Sequence, residues 1–348
     1  MPTAVMDLSQ QQLHLQKVSR TFALTIPLLP QDLCDYISNA YLICRIADTV
    51  EDDPVGPPEQ KSLWLKRFAA FARSGFAPEE ELAALHASGV ALVEKGAVPA
   101  ELALLADMQA VLRRTLTYPE AVRSIIAHGV SILACGMARS VKKGFEIKSV
   151  DDVDGYCYFV AGVVGEMLAA LFASSDRRID SEKLLNLSVS FGEGLQLTNI
   201  LKDQHQDQQR EARYLPKVSG KAGECEEIIY YTSICQGHLQ DALDFILLIP
   251  RADLGVRRFC FLNIAMAAAT LKKICACCGE ENAVLKISRR SVKILYVLCG
   301  FCSRSNVLTR MLFRLLSLKN PCIRRDFRRL REKVSWWDKP AENILTDG

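Results

Sequence analysis

Apolar positions along the chain recur mainly at the three- and four-residue spacing of amphipathic helices, and no convincing alternating series indicates a strand. The pattern predicts an all-α chain. The polar stretches at residues 174–176 and 218–220 are too short to separate domains. We expect one all-helical domain over residues 1–334 and a tail over 335–348. The predicted helices lie near residues 8–18, 31–50, 59–73, 79–95, 99–115, 120–142, 151–173, 181–205, 224–248, 253–278, 284–302, 306–318 and 322–334.

Two of these helices run from an apolar stretch into an acidic one. Asp48 and Asp52 are four residues apart with Glu51 on nearly the same face, and Asp203 and Asp207 repeat the spacing. Carboxylates placed in this way repel each other unless a cation lies between them. Several hard oxygen ligands suit Mg²⁺, which proteins usually hold together with substrate phosphates. A solvated acidic helix end is the alternative for either patch alone, but the pair predicts two magnesium-binding patches that face each other and hold a diphosphate.

Further candidate ligands for phosphate lie near the first acidic patch. Ser19, Arg20 and Thr21 stand at a helix boundary, where a hydroxyl and a guanidinium can hold a phosphate. The alternative is that Ser19 caps a helix and Arg20 is solvated. Tyr41 and Arg45 precede Asp48 at helical spacing, and we assign both to the same phosphate and metal cluster.

Composition bounds the class of protein. A chain of 348 residues that is 49% hydrophobic can bury a sizeable core. Thirteen cysteines in apolar stretches are expected to be reduced, and a zinc site from the pairs Cys275/Cys278 and Cys299/Cys302 is disfavoured by their helical surroundings. Neither a signal peptide nor an uninterrupted apolar run of membrane-spanning length is evident, so we expect a cytoplasmic protein without an anchor.

Charge is concentrated near the C-terminus. The net charge is +3, but residues 286–333 carry fourteen Lys or Arg against Asp326 and Glu332. No nucleic-acid motif accompanies this segment, which leaves a membrane surface or phosphorylated substrates as the anionic partner. Arginines alternate with Leu, Phe and Trp over residues 308–337, a pattern typical of a helix lying on an anionic bilayer. We therefore predict peripheral membrane attachment through the basic amphipathic part from about residue 306.

Six segments in the same order resemble the squalene/phytoene synthase family, the head-to-head prenyl synthases. They are residues 19–23 (SRTFA), 41–53, 156–165 (YCYFVAGVVG), 196–216, 259–271 and 285–290, and they extend over residues 18–298. The resemblance implies an isoprenoid-synthase-type helical bundle around a central apolar cavity. It also implies Mg²⁺-dependent condensation of two farnesyl diphosphates to presqualene diphosphate and NADPH-dependent reduction to squalene. We expect the protein to be a monomer.

The alternatives within the family are dehydrosqualene or phytoene formation without hydride transfer. An alternative of a different class is a non-catalytic helical lipid-binding protein. Two departures from the family pattern bear on the second acidic patch. Lys202 stands where family members commonly have arginine, and Gln206 stands where they usually have an acid.

The resemblance also implies roles for individual residues. Tyr156 is implied to stabilise a carbocation, although the small residues after it equally favour close helix packing. For Arg210 and Arg213, the alternative is that they are ordinary surface residues. For residues 286–290, the alternative is a basic face towards membrane or solvent. No GxGxxG motif is present, so NADPH would not be held by a Rossmann unit. The implied catalytic residues are Tyr156, Tyr41, Arg45 and Lys202; those binding substrate are Ser19, Arg20, Thr21, Gln196, Asn199, Arg210 and Arg213; those binding cofactor are Lys286, Arg289 and Arg290.

Overall fold

The computed structural model describes residues 5–143, 147–209, 214–218, 223–278 and 285–339, with backbone alone at residues 143 and 205–209. These residues form helices and turns without any strand, which confirms the all-α prediction. The helices are α1 Leu8–Val18, α2 Phe22–Thr25, α3 Gln31–Asp52, α4 Pro58–Arg73, α5 Glu79–Val93, α6 Pro99–Ala106, α7 Met108–Leu116, α8 Glu120–Lys143, α9 Val150–Cys157, α10 Val163–Ser175, α11 Ser181–Gln209, α12 Glu224–Leu248, α13 Leu254–Ala276, α14 Arg289–Cys302, α15 Asn306–Leu316 and α16 Phe327–Val334.

The described residues divide into two compact units. The first contains residues 5–143, 170–175 and 336–339. Its long helix α3 packs against α8, which in turn packs against α4. Leu42, Ile43, Ile46, Ala47 and Val50 of α3 are fully buried, so the apolar run read from the sequence forms part of this unit's core.

The acidic end of α3 is fixed by its own loop. The side chain of Asp53 is buried and its Oδ1 accepts the backbone N–H groups of Val55 at 3.0 Å and Gly56 at 2.5 Å. Lys61 Nζ donates to the carbonyl oxygens of Glu51 at 2.6 Å and Asp53 at 2.8 Å, where α3 has no further backbone N–H to donate to them. The turn therefore holds the last carboxylates of α3 in a defined position.

The second unit contains residues 147–169 and the described part of 176–335. Its central helix α11 packs against α12, α13 and the π-helical turn Tyr158–Gly162. Two glycines allow that last approach. A Cβ atom on Gly165 would lie 2.1 Å from the carbonyl oxygen of Ser188, and one on Gly192 would lie 2.1 Å from the carbonyl oxygen of Ala161. The helix-packing alternative for residues 156–165 is thus realised.

We expect Gly165→Ala to lower the free energy of unfolding by about 2 kcal/mol or more, because the clash is with backbone and cannot be relieved by a rotamer change. Gly155→Ala is the matched control. It lies in α9, its added Cβ would meet nothing within 4 Å, and Ala is favoured over Gly in a helix by about 0.5–1 kcal/mol. Urea unfolding of both variants measures the difference; equal stability of the two would contradict the close crossing.

The basic segment near the C-terminus is tied to the protein by ion pairs. Four of its cations pair with acids of the second unit: Arg324 with Asp241 and Asp244, Arg325 with Asp154, Arg331 with Glu166, and Lys333 with Asp151. In the first unit, Trp336 is buried and its ring lies 4.9 Å from the Arg139 guanidinium carbon. Arg324, Arg325 and Arg331 thus pair with the buried acids Asp241, Asp154 and Glu166, so these three cations are engaged within the protein, and membrane attachment through residues 308–337 stays a prediction.

Two other expectations from composition are corrected. Cys225 and Cys278 form a disulfide, so the cysteines are not all reduced; the remaining eleven are free. By length and composition alone, three helical stretches of the described chain are long and apolar enough to cross a membrane. This contradicts the expectation that no stretch would be. In each, 61–72% of the apolar window is buried inside the protein. The stretches are Glu120–Lys142, Val150–Ser175 and Leu254–Ala276.

Candidate active site

The first acidic patch surrounds an arginine at the end of α3. Arg45 Nη1 lies 3.5 Å from Asp48 Oδ2, and its Nη2 pairs with the carboxylate of Glu101 in the first turn of α6. All three side chains are half-buried or nearly so, with 17–31% of their surface exposed. Arg45 therefore joins two acidic groups and remains accessible to a further anion.

The carboxylates of this patch are costly to ionise together. Burial raises the pKa of Asp48 to about 7; Arg45 acts in the opposite direction, and the charge of Asp52 raises the value further. Burial is also the main cause that raises the pKa of Glu51 to about 8. The charges of Asp52 and Asp48 raise it further, while Ser140 and Lys61 act to lower it. The i, i+3 and i+4 spacing thus brings Asp48 and Glu51, whose charges are poorly solvated, close to the exposed Asp52.

A divalent cation fits this donor set. Asp48, Glu51 and Asp52 offer only hard oxygen atoms, and mutual repulsion contributes to the raised pKa values of the first two. A bound Mg²⁺ offsets that repulsion and leaves coordination positions for phosphate oxygens. Asp53 is left out of the set because its buried Oδ1 caps the following turn and its Oδ2 faces Gly96.

The predicted phosphate residues Ser19, Arg20 and Thr21 lie between α1 and α2. Ser19 Oγ accepts the backbone N–H of Phe22 at 3.1 Å, so its hydroxyl does cap a turn, as the alternative held. The same hydroxyl hydrogen-bonds Tyr41, whose pKa is raised mainly by burial. Tyr41 is one turn before Arg45 on α3, so its hydrogen bond with Ser19 brings this boundary next to the face of α3 that carries Asp48. Arg20 and Thr21 are exposed at the same boundary.

The second acidic patch lies on α11 in the second unit. Lys202 Nζ donates to Asn199 Oδ1 at 2.9 Å and lies 3.1 Å from Asp203 Oδ2, which confines the lysine to the patch. Gln196 is half-buried on the same helix, whereas Asn199 is exposed. The side chain of Asp207 and the residues Arg210 and Arg213 lie outside the described part of the chain.

Tyr156 lies beside a half-exposed apolar wall. Its ring stacks on Tyr214, with the centroids 5.0 Å apart and the planes at 28°. The apolar residues Phe159, Val160 and Val164 follow at helical spacing and are only partly buried, as is Leu195 beside Gln196 on α11. The π-helical turn begins two residues after Tyr156, and such turns often mark functional sites.

The model of the squalene/phytoene synthase family matches residues 15–223, which is more than half of the chain and includes both acidic patches. The chain belongs to this family. The squalene synthase of Schizosaccharomyces pombe is 27% identical over 285 residues, which cover 75% of this chain and 58% of the relative. The squalene synthase of Rattus norvegicus is 30% identical over 288 residues, covering 78% and 64%. The chain thus matches about three-fifths of the length of these curated relatives.

Solved structures agree on the fold. A ligand complex of TcSQS has a TM-score of 0.74 at 22% identity and covers 97% of this chain and 96% of its own. A dehydrosqualene synthase in complex with a ligand has a TM-score of 0.59 at 17% identity and covers 84% of this chain and 95% of its own. The predicted isoprenoid-synthase-type helical fold of the squalene/phytoene synthase family is confirmed.

The residues expected to bind a phosphorylated cofactor lie at the start of α14. Lys286, Arg289 and Arg290 are all exposed, and Ser288 caps the helix by accepting the backbone N–H of Ser291 at 3.0 Å. Lys273 Nζ donates to the carbonyl oxygen of Lys286 at 2.9 Å and adds a further cation. A helix N-terminus with several cations fits a phosphate group of NADPH.

A buried polar network that sequence reasoning missed ties α9 to α11. Arg325 donates two hydrogen bonds to Asp154, at 2.7 and 2.8 Å, and one to His238 Nε2 at 2.8 Å. Glu193 completes the cluster 3.6 Å from His238 Nε2, and neither of its carboxylate oxygens has a hydrogen-bond partner. Burial is the main cause that lowers the pKa of His238 to about 3, and the positive charge of Arg325 is the second. The imidazole is therefore neutral.

Because the side chain of Glu193 is buried, we expect the stability of the protein to depend on pH. Burial raises its pKa well above the usual value, and the charge of Asp154 adds to this. The protonated acid is favoured by folding, so its contribution is complete below the unfolded pKa of about 4.3 and is lost as pH rises through the folded pKa. The loss can approach about 1.4 kcal/mol per pH unit within that window.

We therefore expect Glu193→Gln to gain thermal stability over the unmodified protein as pH is raised from 5 to 8, and to differ least at the acidic end. The control is Glu182→Gln, an exposed acid in the first turn of the same helix. Thermal unfolding across this pH range measures both variants. A stability difference for Glu193→Gln that shrinks with rising pH would contradict the assignment of a protonated, buried acid.

Three polar partners in these clusters were not predicted from the sequence. Glu101 and Ser140 come from helices with no acidic motif of their own, and Glu193 lies on α11 ten residues before the acidic patch of that helix. Of the three, only Glu193 has a signal in the sequence, because it is the one charged residue among the apolar and small residues 191–195. Glu101 is an ordinary first-turn acid, and nothing in its local sequence indicates that it faces Arg45.

Proposed function

We propose that this protein is a squalene synthase that condenses two molecules of farnesyl diphosphate head to head and reduces the presqualene diphosphate intermediate to squalene. The observation that carries the proposal is the cluster at the end of α3. There Arg45 lies between two acids while Asp48 and Glu51 have raised pKa values, within the part of the chain that matches the family model. Such a cluster is suited to a divalent cation with its diphosphate.

In this proposal each acidic patch binds Mg²⁺ and diphosphate through its own residues. Asp48, Glu51 and Asp52 serve the first patch, and Asp203 with Asp207 serves the second. When bound, Mg²⁺ supplies leaving-group stabilisation. Arg20, Arg45 and Lys202 add positive charge towards the departing diphosphate. Ser19 and Thr21 donate hydroxyl hydrogen bonds to it, as do Arg210 and Arg213 through their guanidinium groups.

The remaining residues act on the hydrocarbon part. The apolar wall of Phe159, Val160 and Val164 excludes water, which would otherwise quench a carbocation. Tyr156 presents a phenol whose dipole stabilises developing positive charge and steers proton loss, and Tyr41 orients the diphosphate beside Ser19. Gln196 and Asn199 position the second prenyl chain from α11.

We propose that Lys286, Arg289 and Arg290 would hold the phosphates of NADPH, which when bound would supply the hydride for squalene formation. The second candidate function is dehydrosqualene or phytoene synthesis without hydride transfer. It is supported by the breadth of the family, which includes both kinds of enzyme, and by the fold that the chain shares with a dehydrosqualene synthase. The two functions differ in their need for NADPH.

Incubation with farnesyl diphosphate and Mg²⁺, with and without NADPH, followed by mass identification of the extracted hydrocarbons, separates these functions. We expect squalene to appear only with NADPH, and Arg289→Gln to reduce squalene while presqualene diphosphate accumulates. Dehydrosqualene formed regardless of NADPH would move the proposal to the second function. No reaction with farnesyl or geranylgeranyl diphosphate would leave the non-catalytic lipid-binding alternative.

We further propose that the protein is a monomer that acts in the cytoplasm at a membrane surface, where a hydrocarbon product can partition into lipid. Binding to nucleic acid is not part of this proposal. Sedimentation of the purified chain and its cofractionation with membranes measure these two properties.

A further inference from the structure

Exposed apolar side chains are concentrated in one helical hairpin. Of the seventeen large apolar side chains that are exposed within the described residues, eight lie on α14, α15 and the turn that follows, each with 40–69% of its surface exposed. The first four recur at helical spacing on α14 and the others on α15 and just beyond it. We call them the hairpin apolar face: Ile294, Val297, Leu298, Phe301, Val307, Met311, Leu315 and Leu318.

This face is turned away from the protein. Helices α14 and α15 both pack on α13 and on each other. They do so through different residues, since Leu295 and Cys299 of α14 are buried, as are Leu312 and Phe313 of α15. The buried and exposed positions fall on opposite sides of each helix. Both helices of the hairpin therefore present a second apolar stripe that no part of the described chain covers.

The hairpin is a fixed part of the second unit. Arg257 is fully buried and donates to the carbonyl oxygen of Ser303 at 2.8 Å and to Asn306 Oδ1 at 2.8 Å, on both sides of the turn between α14 and α15. It also donates to the carbonyl oxygen of Ile249 at 2.7 Å. A buried arginine that satisfies three backbone and side-chain acceptors holds the turn in one geometry. The exposed stripe is thus presented by a rigid element.

The charged residues around the apolar face are all positive. Residues 285–320 hold eight Lys or Arg and no Asp or Glu. All eight are exposed, and none forms an ion pair with a described carboxylate, in contrast to the paired cations of residues 324–333. Lys286, Arg289 and Arg290 are the proposed cofactor cations, and we call the other five the basic rim: Lys293, Arg304, Arg310, Arg314 and Lys319.

We propose that the hairpin apolar face and the basic rim form a docking surface for an anionic phospholipid bilayer. Apolar side chains enter the boundary between headgroups and acyl chains, and the surrounding cations contact the phosphates. A second copy of the chain is the other occupant to consider. It would bring two basic rims together, and no acid within residues 285–320 is available to pair with them. Charge complementarity therefore favours the bilayer.

This inference rests on the proposed membrane attachment and names its surface, but it does not depend on the proposed catalysis. It also places the attachment predicted over residues 308–337 on residues 289–319 instead. The distinction is physical, because the cations of the later segment neutralise buried acids such as Glu166 and Asp154, whereas those of the hairpin face solvent.

Flotation with phosphatidylcholine vesicles, with and without phosphatidylglycerol, tests the proposal on the full chain. We expect binding to require phosphatidylglycerol. Replacing Phe301, Met311 and Leu315 together by serine should lower the partition coefficient at least about tenfold. The matched control replaces Leu13, Leu63 and Val98, which are exposed apolar residues elsewhere, and should retain binding.

A second pair of variants tests the charge. Arg310→Gln with Arg314→Gln should lower binding about 30-fold, because each cation near an anionic surface contributes about a factor of five. Arg328→Gln with Arg329→Gln, exposed cations of α16, should change it less than about threefold. None of these residues belongs to the proposed catalytic or cofactor sites.

The outcomes separate the alternatives. Unchanged vesicle binding by both hairpin variants, or no binding by the unmodified chain, would overturn the proposal. A dimer in sedimentation that the serine variant converts to monomer, without vesicle binding, would assign the face to a second copy. Turnover of farnesyl diphosphate in vesicle-free solution is measured alongside: its absence together with vesicle binding counts against the catalytic proposal and leaves the docking surface standing.

Discussion

Asp48→Asn is expected to lower turnover of farnesyl diphosphate by about 1,000-fold at saturating Mg²⁺. The substitution removes the negative charge of a carboxylate that lies 3.5 Å from Arg45 and in the electrostatic field of Asp52. Loss of about 4 kcal/mol of stabilisation of the departing diphosphate corresponds to this factor. Initial rates of diphosphate release across a Mg²⁺ titration measure the effect.

The control for this experiment is Asp32→Asn, an exposed acid in the first turn of the same helix, which should retain the normal rate. A readout independent of turnover is the thermal shift produced by Mg²⁺ and inorganic diphosphate together. The unmodified chain should be stabilised by binding, and Asp48→Asn should show a much smaller shift. Equal rates and equal shifts in the two variants would remove Asp48 from the proposed metal site.

Arg325→Met is expected to lower the free energy of unfolding by about 3–5 kcal/mol, the usual cost of leaving one partner of a buried ion pair alone. The guanidinium makes two hydrogen bonds to the nearly buried Asp154 and one to His238. Arg329→Met is the comparison, because that side chain is 87% exposed and its acid partner is 3.7 Å away, so its loss should cost less than about 1 kcal/mol. Urea unfolding measures both.

A double-mutant cycle separates the pair from its surroundings. Asp154→Asn alone leaves the arginine beside Glu193 and His238, whereas Asp154→Asn combined with Arg325→Met removes both charges. We expect the double variant to be more stable than the sum of the single effects predicts, by about 1–3 kcal/mol. Strict additivity would mean that the two side chains are not coupled.

The same network connects the C-terminal segment with the proposed site. Asp154 is two residues before Tyr156, and Glu193 is three residues before Gln196. Arg325 thus holds together the helix segments that carry a proposed catalytic tyrosine and a proposed substrate amide. Residues 324–335 therefore help to build the second unit, and truncation before them is expected to affect folding as well as any surface property.

Much of the helical architecture follows from local sequence. The apolar spacing predicted α1, α3, α12 and α15 to within a few residues, because their buried faces follow the helical period and prolines or polar residues bound them. The sequence did not predict the break between α6 and α7 at Asp107 or the π-helical turn Tyr158–Gly162. Both interrupt stretches whose apolar period continues, so periodicity carries no sign of them.

The residues of the candidate site were likewise predicted only in part from the sequence. Asp48, Glu51 and Arg45 were found because helical spacing alone places them on neighbouring faces of α3. The partners Glu101 and Ser140 come from other helices, and only tertiary packing brings them close. The ion pairs of Arg324, Arg325 and Arg331 were not predicted for a related reason: a run of arginines has the same pattern whether it faces lipid or buried acids such as Glu166.

The most direct test of the central claim is the carbon count of the hydrocarbon that the purified chain makes from farnesyl diphosphate, Mg²⁺ and NADPH. The account predicts a product with the combined carbons of two farnesyl groups, lost when Mg²⁺ is chelated and nearly lost in Asp48→Asn. Products that contain only one farnesyl group, or a joined product that persists without Mg²⁺, would contradict it.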